Sequence, residues 1–254
     1  MQGDAFVEIY MIRGFLFSLL FALSLVQATH TVPLPIEKPV PSSIAHEIPA
    51  GSHFSLNWAG YVARRGTFEG VGATWRVPTV TPDSLPYSAD ATWVGIGGTS
   101  SEDLIQAGTQ AIVHGSKVEY QAWVERLPDY LEPISLSVHP GDWVSVDLRE
   151  IEEGLWKLQF RNLTTGKVFT DIYEYDSSNS SAEWIEEMPM HASGELIPLS
   201  QFGSVTFHNA YAIENGQVLT PETLNAQPVT LIDEDGNMLA VPGPLQSDTF
   251  TVKR

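Results

Sequence analysis

The stretch Trp143-Val144-Ser145-Val146-Asp147-Leu148 places an apolar side chain at every even position, and Trp156-Lys157-Leu158-Gln159-Phe160-Arg161 repeats the pattern. A third segment, 134–139 (Ile-Ser-Leu-Ser-Val-His), alternates in the same way. Successive side chains of a β-strand point to opposite faces of its sheet, so this period of two predicts strands buried on one face. Turn-forming sequences separate the segments, among them Pro140-Gly141-Asp142 and the stretch 162–166.

Working outward from these segments, the sequence shows no helical periodicity over three turns and no alternation of strands with helices. Many short strands separated by turn signals are typical of a sandwich or a barrel. We therefore predict an all-β fold, a two-sheet antiparallel β-sandwich of the concanavalin-like type. One such domain, at residues 53–254, accommodates the length of the chain.

Composition excludes several classes of function. The 254 residues include 31 acidic and 13 basic side chains, a formal net charge of −18. Such a charge argues against nucleic acids as partners and against docking on anionic membranes. Since the chain has no Cys, disulfides, thiolate metal sites and cysteine nucleophiles are also excluded.

The N-terminal region has the pattern of a secreted protein. An apolar run at 14–26 follows Arg13 and precedes Gln27-Ala28, which is typical of a secretory signal peptide at residues 1–28. The run is shorter than the roughly 20 residues of a transmembrane helix. Five prolines then fall within residues 29–52, where we expect a linker or a short pro-segment. These features predict a secreted, extracellular protein.

Most familiar catalytic signatures are absent. The chain lacks the Asp-Thr-Gly and Asp-Ser-Gly signatures of aspartic peptidases, the Gly-x-Ser-x-Gly elbow and the phosphate-binding Gly-rich loop. His46-Glu47 has no second His four residues on, so the zinc-peptidase pattern fails. A Ser-His-Asp triad stays open, because its members need not be close in sequence. No metal or cofactor is predicted.

Several motifs occur together, in a fixed order. They are Asn57-Trp58-Ala59-Gly60-Tyr61, Gly72-Ala73-Thr74-Trp75-Arg76-Val77-Pro78, Trp93-Val94-Gly95-Ile96-Gly97, Leu104-Ile105-Gln106-Ala107-Gly108, Tyr120-Gln121-Ala122-Trp123-Val124-Glu125, Ala182-Glu183-Trp184-Ile185 and Phe202-Gly203-Ser204-Val205-Thr206-Phe207. In this order and spacing they resemble the glutamic peptidases, or eqolisins, from about Leu56 to the C-terminus. The resemblance implies a secreted, acid-acting endopeptidase on a β-sandwich.

The resemblance also implies the catalytic residues. The catalytic Gln of the family maps onto Gln106 and the catalytic Glu onto Glu183, which implies Glu183 as general base and Gln106 as its partner. A carboxylate with a pKa of about 4.3 stays partly ionised at acid pH and accepts a proton from water. An amide does not titrate there, so its N–H groups donate to an oxyanion at any acid pH.

Further site residues follow from the same motifs. Trp93 and Trp123 are expected to line the substrate cleft, and Glu125 matches a family acid near the catalytic pair. Trp123 is two positions from both Gln121 and Glu125, so the three side chains share one face of the strand, and Trp123 falls on its polar side. We expect Gln110 and Gln121 to belong to the same substrate-binding region.

The chain departs from the fungal pattern at four positions. Gly97, Gln110 and Gln121 stand where the fungal pattern has Asp, and Leu127 stands where it has an aromatic residue. We predict that the two amides of Gln110 and Gln121 face each other and form one N–H to carbonyl hydrogen bond. Such a bridge involves no proton that titrates, unlike a pair of acids.

Two other functional hypotheses stay open, a glycoside hydrolase and a non-enzymatic module. In a glycoside hydrolase, Glu125 and Glu183 would form a carboxylate pair about 5–5.5 Å apart for retention or 6.5–9.5 Å for inversion. In a non-enzymatic module, either a carbohydrate binder or an inactive peptidase homologue, the tryptophans would stack on a ligand. The preferred hypothesis is a monomeric peptidase acting on polypeptide substrates.

Overall fold

A computed structural model describes residues 28–29 and 49–254. The predicted signal peptide at 1–28 and the proline-rich segment at 29–52 lie outside the described residues, apart from Ala28, Thr29 and 49–52. Within the described ranges there is no helix with the length and apolar character needed to span a bilayer.

The regular elements of the described residues are all strands. In chain order they are β1 (Ala28–Thr29), β2 (His53–Ser55), β3 (Trp58–Ala63), β4 (Phe68–Arg76), β5 (Tyr87–Gly97), β6 (Leu104–His114), β7 (Lys117–Arg126), β8 (Glu132–Pro133), β9 (Trp143–Glu152), β10 (Leu155–Asn162), β11 (Lys167–Glu174), β12 (Ala182–Glu187), β13 (Met190–His191), β14 (Ser204–Glu214), β15 (Gln217–Leu219), β16 (Gln227–Ile232), β17 (Met238–Pro242) and β18 (Phe250–Lys253).

The strands form two packed layers, which confirms the predicted all-β sandwich. One layer runs β11-β10-β9-β4-β14-β18, and the other runs β16-β3-β12-β5-β6-β7-β8. Because β17 pairs with both β16 and β18, the layers are two halves of one continuous sheet rather than separate sheets. Named strands pair antiparallel along this path, and β2 adds to β16 in parallel.

The core lies between the layers and is fixed by cross-layer hydrogen bonds. The indole of Trp75 donates to Thr109 Oγ1 at 3.0 Å, and that of Trp184 donates to the Gly72 carbonyl at 3.1 Å. The apolar even positions of the two strands point into this core and are buried: Val144, Val146 and Leu148 on β9, and Trp156, Leu158 and Phe160 on β10. The alternation in these two segments therefore predicted both the strands and their buried face.

The third alternating segment, 134–139, is not a strand, so that prediction was wrong. Leu136 and Val138 are buried and their neighbours are exposed, as the alternation predicted. The backbone, however, makes no ladder. The amide of Leu136 donates to the Ile134 carbonyl at 2.8 Å, and the Ser137 carbonyl accepts from the Asn162 side chain. Side-chain packing produced the pattern without strand pairing.

Strand β11 ends the path and pairs only with β10 among the described strands. It carries two large apolar side chains in solvent, Val168 at 55% and Ile172 at 50% exposure. Lys167, Asp171 and Glu174 add charge along the same strand.

Two carboxyl groups are buried on the inner side of the sandwich. Glu186 Oε2 accepts a hydrogen bond from Thr92 Oγ1 at 2.6 Å, and Asp90 accepts one from the Ser200 hydroxyl. Burial raises the pKa of Asp90 to about 7, although Ser200 and the charge of Arg254 oppose the rise. Burial and the charge of Asp90 raise the pKa of Glu186 well above its ordinary value.

These raised pKa values predict a pH-dependent stability. A group whose pKa is raised by folding stabilises the fold at low pH, and this contribution is lost as the pH rises through the folded pKa. We expect Glu186→Gln to raise the melting temperature at pH 7 by about 3–6 °C, since about 1–2 kcal/mol is at stake. At pH 4 the wild type and Glu186→Gln should melt within about one degree of each other, because Glu186 is then protonated and as uncharged as the Gln that replaces it.

The matched control is Glu119→Gln, which removes an exposed carboxylate from β7. Its melting temperature should follow that of the wild type from pH 4 to pH 8. A Glu186→Gln curve that runs parallel to the wild type over this range would contradict the prediction.

Candidate active site

The predicted catalytic residues lie in one row across the outer face of the second layer. Glu183 pairs in register with Gly95, Gly95 with Gln106, and Gln106 with Glu125. Paired residues of neighbouring strands project on the same side of a sheet. The three polar side chains therefore share the face turned away from the sandwich core, which we call the site face.

Gly95 provides the space between Gln106 and Glu183. These two residues lie two strands apart, or about 10 Å between backbones. A Cβ atom at position 95 would lie 2.9 Å from Trp93 Cζ3, 3.0 Å from Leu104 Cδ1 and 3.1 Å from Gln106 Cβ. The absence of a side chain at this position lets the carboxyl and amide groups converge from either side.

Gln106 is held by an acid on the neighbouring strand. Its Nε2 atom donates to Glu125 Oε2 at 2.7 Å, and both residues are fully buried. An amide nitrogen carries two hydrogens, so one N–H remains available to a substrate oxygen while the other fixes the side chain. The Gln106 carbonyl oxygen accepts no hydrogen bond within the described residues.

Glu183 is fully buried, and within the described part of the chain neither of its oxygens accepts a hydrogen bond. Burial raises the pKa of Glu183 well above its ordinary value. The Ser181 hydroxyl, which lies near the carboxyl but outside hydrogen-bond geometry, and the Arg64 charge offset part of this rise, whereas the Asp103 charge adds to it. The expectation that this carboxyl titrates near its ordinary pKa was therefore wrong, because it assumed a hydrated side chain.

The two predicted tryptophans lie in the next row of the same face. Trp93 pairs with Gly108, which pairs with Trp123. The indole of Trp93 donates to Glu187 Oε2 at 2.6 Å, and its ring packs edge-on against Trp58 at 4.9 Å. Glu187 was not among the predicted site residues, because it lies two positions beyond the motif Ala182-Glu183-Trp184-Ile185, although on the same strand β12.

Gln110 and Gln121 form the predicted amide bridge. They are register partners on β6 and β7, and Gln110 Nε2 donates to Gln121 Oε1 at 2.8 Å. Their row lies four residues along β6 from Gln106, on the same face. Two neutral amides thus make a contact that requires no shared proton.

Beside Gly97, where the fungal pattern has an Asp, this chain places the carboxyl group of Asp103. Gly97 has φ +93°, and a Cβ there would lie 2.7 Å from Asp103 Oδ2. Although burial opposes it, hydrogen bonds from Ser101, Ser178 and Ser177 lower the pKa of Asp103 below its ordinary value. An ionised carboxylate thus occupies the space beside Gly97. Sequence reasoning missed Asp103 because it lies outside the motifs.

The remaining departure, Leu127, packs with the tryptophans of the site face. Leu127 and the buried Leu131 join the cluster that contains Trp93 and Trp123. The segment that follows β7 therefore covers this part of the face with aliphatic side chains.

The same geometry counts against the glycoside hydrolase reading. Glu125 and Glu183 lie three strands apart, or about 14 Å between backbones, and Gln106 stands between them. Glu125 is engaged by Gln106. The two acids do not face each other across an open gap.

The sequence matches the Peptidase A4 family over residues 56–254. It is 30% identical to Aspergillopepsin-2 of Aspergillus niger over 224 residues, which are 78% of this chain and 77% of that protein. The fold is similar to scytalido-glutamic peptidase bound to a transition state analog inhibitor, with a TM-score of 0.67, 22% identity, and coverage of 78% of this chain and 97% of that one. It is also similar to aspergilloglutamic peptidase from Aspergillus niger, with a TM-score of 0.60, 30% identity, and coverage of 65% and 98%.

The sandwich and these matches define a peptidase. The chain belongs to the Peptidase A4 family, the eqolisin glutamic peptidases, as the resemblance of its motifs predicted.

The space at Gly95 gives a direct test of the row. We expect Gly95→Ala to reduce peptidase kcat/KM by at least about tenfold, because a side chain between the catalytic candidates displaces Gln106. Stability should fall by only about 1–3 kcal/mol, the usual cost of overpacking.

Gly243→Ala is the matched control. Its nearest contact would be the Thr251 carbonyl at 3.3 Å, in a segment that contributes nothing to the row. It should keep wild-type kcat/KM in the same assay. Equal activity of the two alanine variants would contradict the role given to Gly95.

The amide bridge gives a second test. In Gln110→Asp/Gln121→Asp, two carboxyls share one hydrogen bond only while one stays protonated, so one folded pKa is raised. The double variant should therefore lose melting temperature relative to the wild type at pH 7 but much less at pH 4. Each single Asp variant retains an amide donor and serves as control. Parallel curves for all four proteins would mean that the bridge contributes nothing.

Proposed function

We propose that the chain is a secreted endopeptidase that hydrolyses peptide bonds on the acid side of neutral pH, with Glu183 as general base and Gln106 as oxyanion donor. The observation that carries the proposal is the row itself. A buried carboxyl without a hydrogen-bond partner in the described residues and a half-satisfied amide project from either side of Gly95. Buried polar groups are normally paired, and those left unpaired are candidates for substrate contact.

The geometry supports a two-step hydrolysis. The ionised Glu183 removes a proton from water, and the water oxygen attacks the peptide carbonyl carbon. The carbonyl oxygen becomes an oxyanion and accepts a hydrogen bond from the second N–H of the Gln106 amide. Glu183 then returns its proton to the leaving nitrogen, the C–N bond breaks, and an acid and an amine leave.

Glu125 acts in this proposal as a positioning residue. Its carboxylate accepts a hydrogen bond from Gln106 Nε2 and so fixes the rotation of the amide about its last torsion. A rotated amide would turn its oxygen towards the Glu125 carboxylate, and two acceptors repel each other. Trp93, Trp123 and the Gln110–Gln121 bridge line the remainder of the site face and are proposed to contact the substrate.

Two groups of buried acids define the proposed working range. General-base catalysis needs the ionised form of Glu183, which becomes scarce below its raised pKa. The Asp90–Glu186 pair destabilises the fold as the pH rises towards the pKa of Asp90, about 7. Activity is therefore confined to the pH range between the raised pKa of Glu183 and the pKa of Asp90, about 7.

Secretion, the monomeric state and polypeptide substrates belong to the same proposal. The apolar run at 14–26 supports export, and the net charge of −18 supports a solvated surface without nucleic-acid or membrane partners. Expression of the full chain in a secreting host, followed by N-terminal sequencing of the medium, should show a start at Thr29. A protein retained in the cells with an intact Met1 would contradict this part of the proposal.

The catalytic roles are tested by kinetics of Glu183→Gln and Gln106→Ala on a denatured globin and on a fluorogenic peptide. Glu183→Gln should abolish turnover. Gln106→Ala should reduce kcat by about 10²–10³, since one oxyanion donor contributes about 2.7–4 kcal/mol. Circular dichroism should show the same β-rich spectrum for all three proteins. A folded Glu183→Gln protein with wild-type kcat would overturn the mechanism.

The pH profile tests the protonation state of Glu183. We expect the kcat/KM of the wild type to fall towards low pH with a limb above the ordinary value of about 4.3. A kcat/KM that instead rises as the pH falls through that limb would assign Glu183 as a general acid.

A further inference from the structure

Beyond Glu183, the site face carries a pocket lined by cationic side chains. This pocket has a volume of about 410 Å³, and its lining includes His53, Arg64, Arg65 and Gln227. It is separate from the catalytic row, and none of the predicted site residues lines it.

Strand register places this pocket on the same face as the catalytic row. Glu183 pairs with Val62 on β3, and Val62 pairs with Gln227 on β16. Gln227 therefore extends the row by two strands, about 10 Å between backbones. His53 joins the same face as the parallel register partner of Val229.

Arg64 connects the pocket to the candidate base. It follows the end of β3, and its charge acts on the Glu183 carboxyl and on His53. Burial in the pocket lowers the pKa of Arg64 below its ordinary value, and the charge of Glu183 offsets part of that fall. A guanidinium remains charged at any acid pH.

The concentration of positive charge is unusual for this chain. Only 13 of its 254 residues are Lys or Arg, against 31 Asp and Glu, yet two arginines and a histidine border this one pocket. Between residues 49 and 254 no carboxylate lies within 4.0 Å of any of the three side chains. The pocket thus presents unneutralised donors, with Gln227 and Asn225 as further hydrogen-bonding groups.

We propose that this pocket is a substrate subsite for a carboxylate, supplied by an Asp or Glu side chain or by the C-terminal end of a peptide. The inference rests on the proposed function, because it takes Glu183 to mark the bond that is cleaved. An extended peptide advances about 3.3–3.6 Å per residue. A span of about 10 Å therefore places the carboxylate roughly three residues from the scissile bond.

The chemistry gives the preference a distinct dependence on pH. A peptide Glu ionises with a pKa of about 4.3, so the guanidinium groups bind it strongly above that pH and weakly below it. His53 gains a proton as the pH falls, which acts in the opposite direction, but a neutral carboxyl gives it no anion to bind. Preference for an acidic residue should therefore increase from pH 3 to pH 5.5.

The test uses fluorogenic peptides that differ at one position, Glu or its isostere Gln, walked along both sides of a bond whose cleavage is verified by mass spectrometry. At one position about three residues from the cut, kcat/KM should favour Glu by about tenfold at pH 5.5. At pH 3 the ratio should approach one. A second pair of peptides ends at that position in a carboxylate or an amide, which separates the side chain from the chain end as the source.

Arg64→Gln/Arg65→Gln should remove the preference. Arg64 also acts on Glu183. The readout is therefore kcat/KM for the Glu peptide divided by kcat/KM for the Gln peptide on the same enzyme variant. Any effect of the substitutions on Glu183 changes both values equally and cancels. Arg161→Gln, which removes an exposed arginine from the other layer, is the matched control and should keep the wild-type ratio. A ratio of one at every position in the wild type, or an unchanged ratio in the double variant, would overturn the subsite.

A binding measurement separates this inference from the proposed function. Peptide affinity is measured by fluorescence anisotropy on Glu183→Gln, which does not depend on turnover. A Glu preference that disappears in Glu183→Gln/Arg64→Gln/Arg65→Gln supports the subsite even if the wild type cleaves no peptide. Equal affinities for the Glu and Gln peptides overturn it even if cleavage proceeds as proposed.

Discussion

Strand register across β12, β5, β6 and β7 is the constraint on which the site depends. Each strand shows alternate residues to opposite faces, so a slip of one position would exchange the whole set. Glu183 and Gln106 would then enter the sandwich core, and Trp184 and Ala107 would take their places. The tight packing around Gly95 and the indole bonds across the core both oppose such a slip. Catalytic geometry and core packing are thus specified by the same alternation.

Burial of carboxyl groups links the proposed chemistry to the stability of the fold. Glu183 and Glu186 are three residues apart on β12, and they project to opposite faces of the layer. On the site face, burial without a partner prepares an acid for proton transfer. On the inner face, burial beside Asp90 raises the pKa of the Glu186 carboxyl, which destabilises the fold once it loses its proton. The short strand β12 therefore carries both the proposed catalytic carboxyl, Glu183, and a buried carboxyl, Glu186, that makes the fold more stable at acid pH.

Much of the fold and part of the site could be predicted from the sequence. Alternation at 143–148 and 156–161 indicated strands because those segments are buried on one face only. The motif order predicted Gln106 and Glu183 as catalytic residues, and strand register places the two in one row. The same alternation failed at 134–139, since periodic burial does not require a strand partner. The shifted pKa of Glu183 could not be foreseen, because burial is a property of the whole fold. Asp103 and Arg64 lie outside the motifs and reach the site only through tertiary structure.

The open edge of the sheet has a consequence for handling the protein in solution. Strand β11 has one side without a strand partner among the described residues and exposes Val168 and Ile172. Such an edge invites a second chain to add to it unless charge keeps neighbours apart. At neutral pH the net charge of −18 provides long-range repulsion between molecules. As the pH falls towards the ordinary carboxylate pKa of about 4, this negative charge is neutralised and the colloidal protection of the open edge weakens.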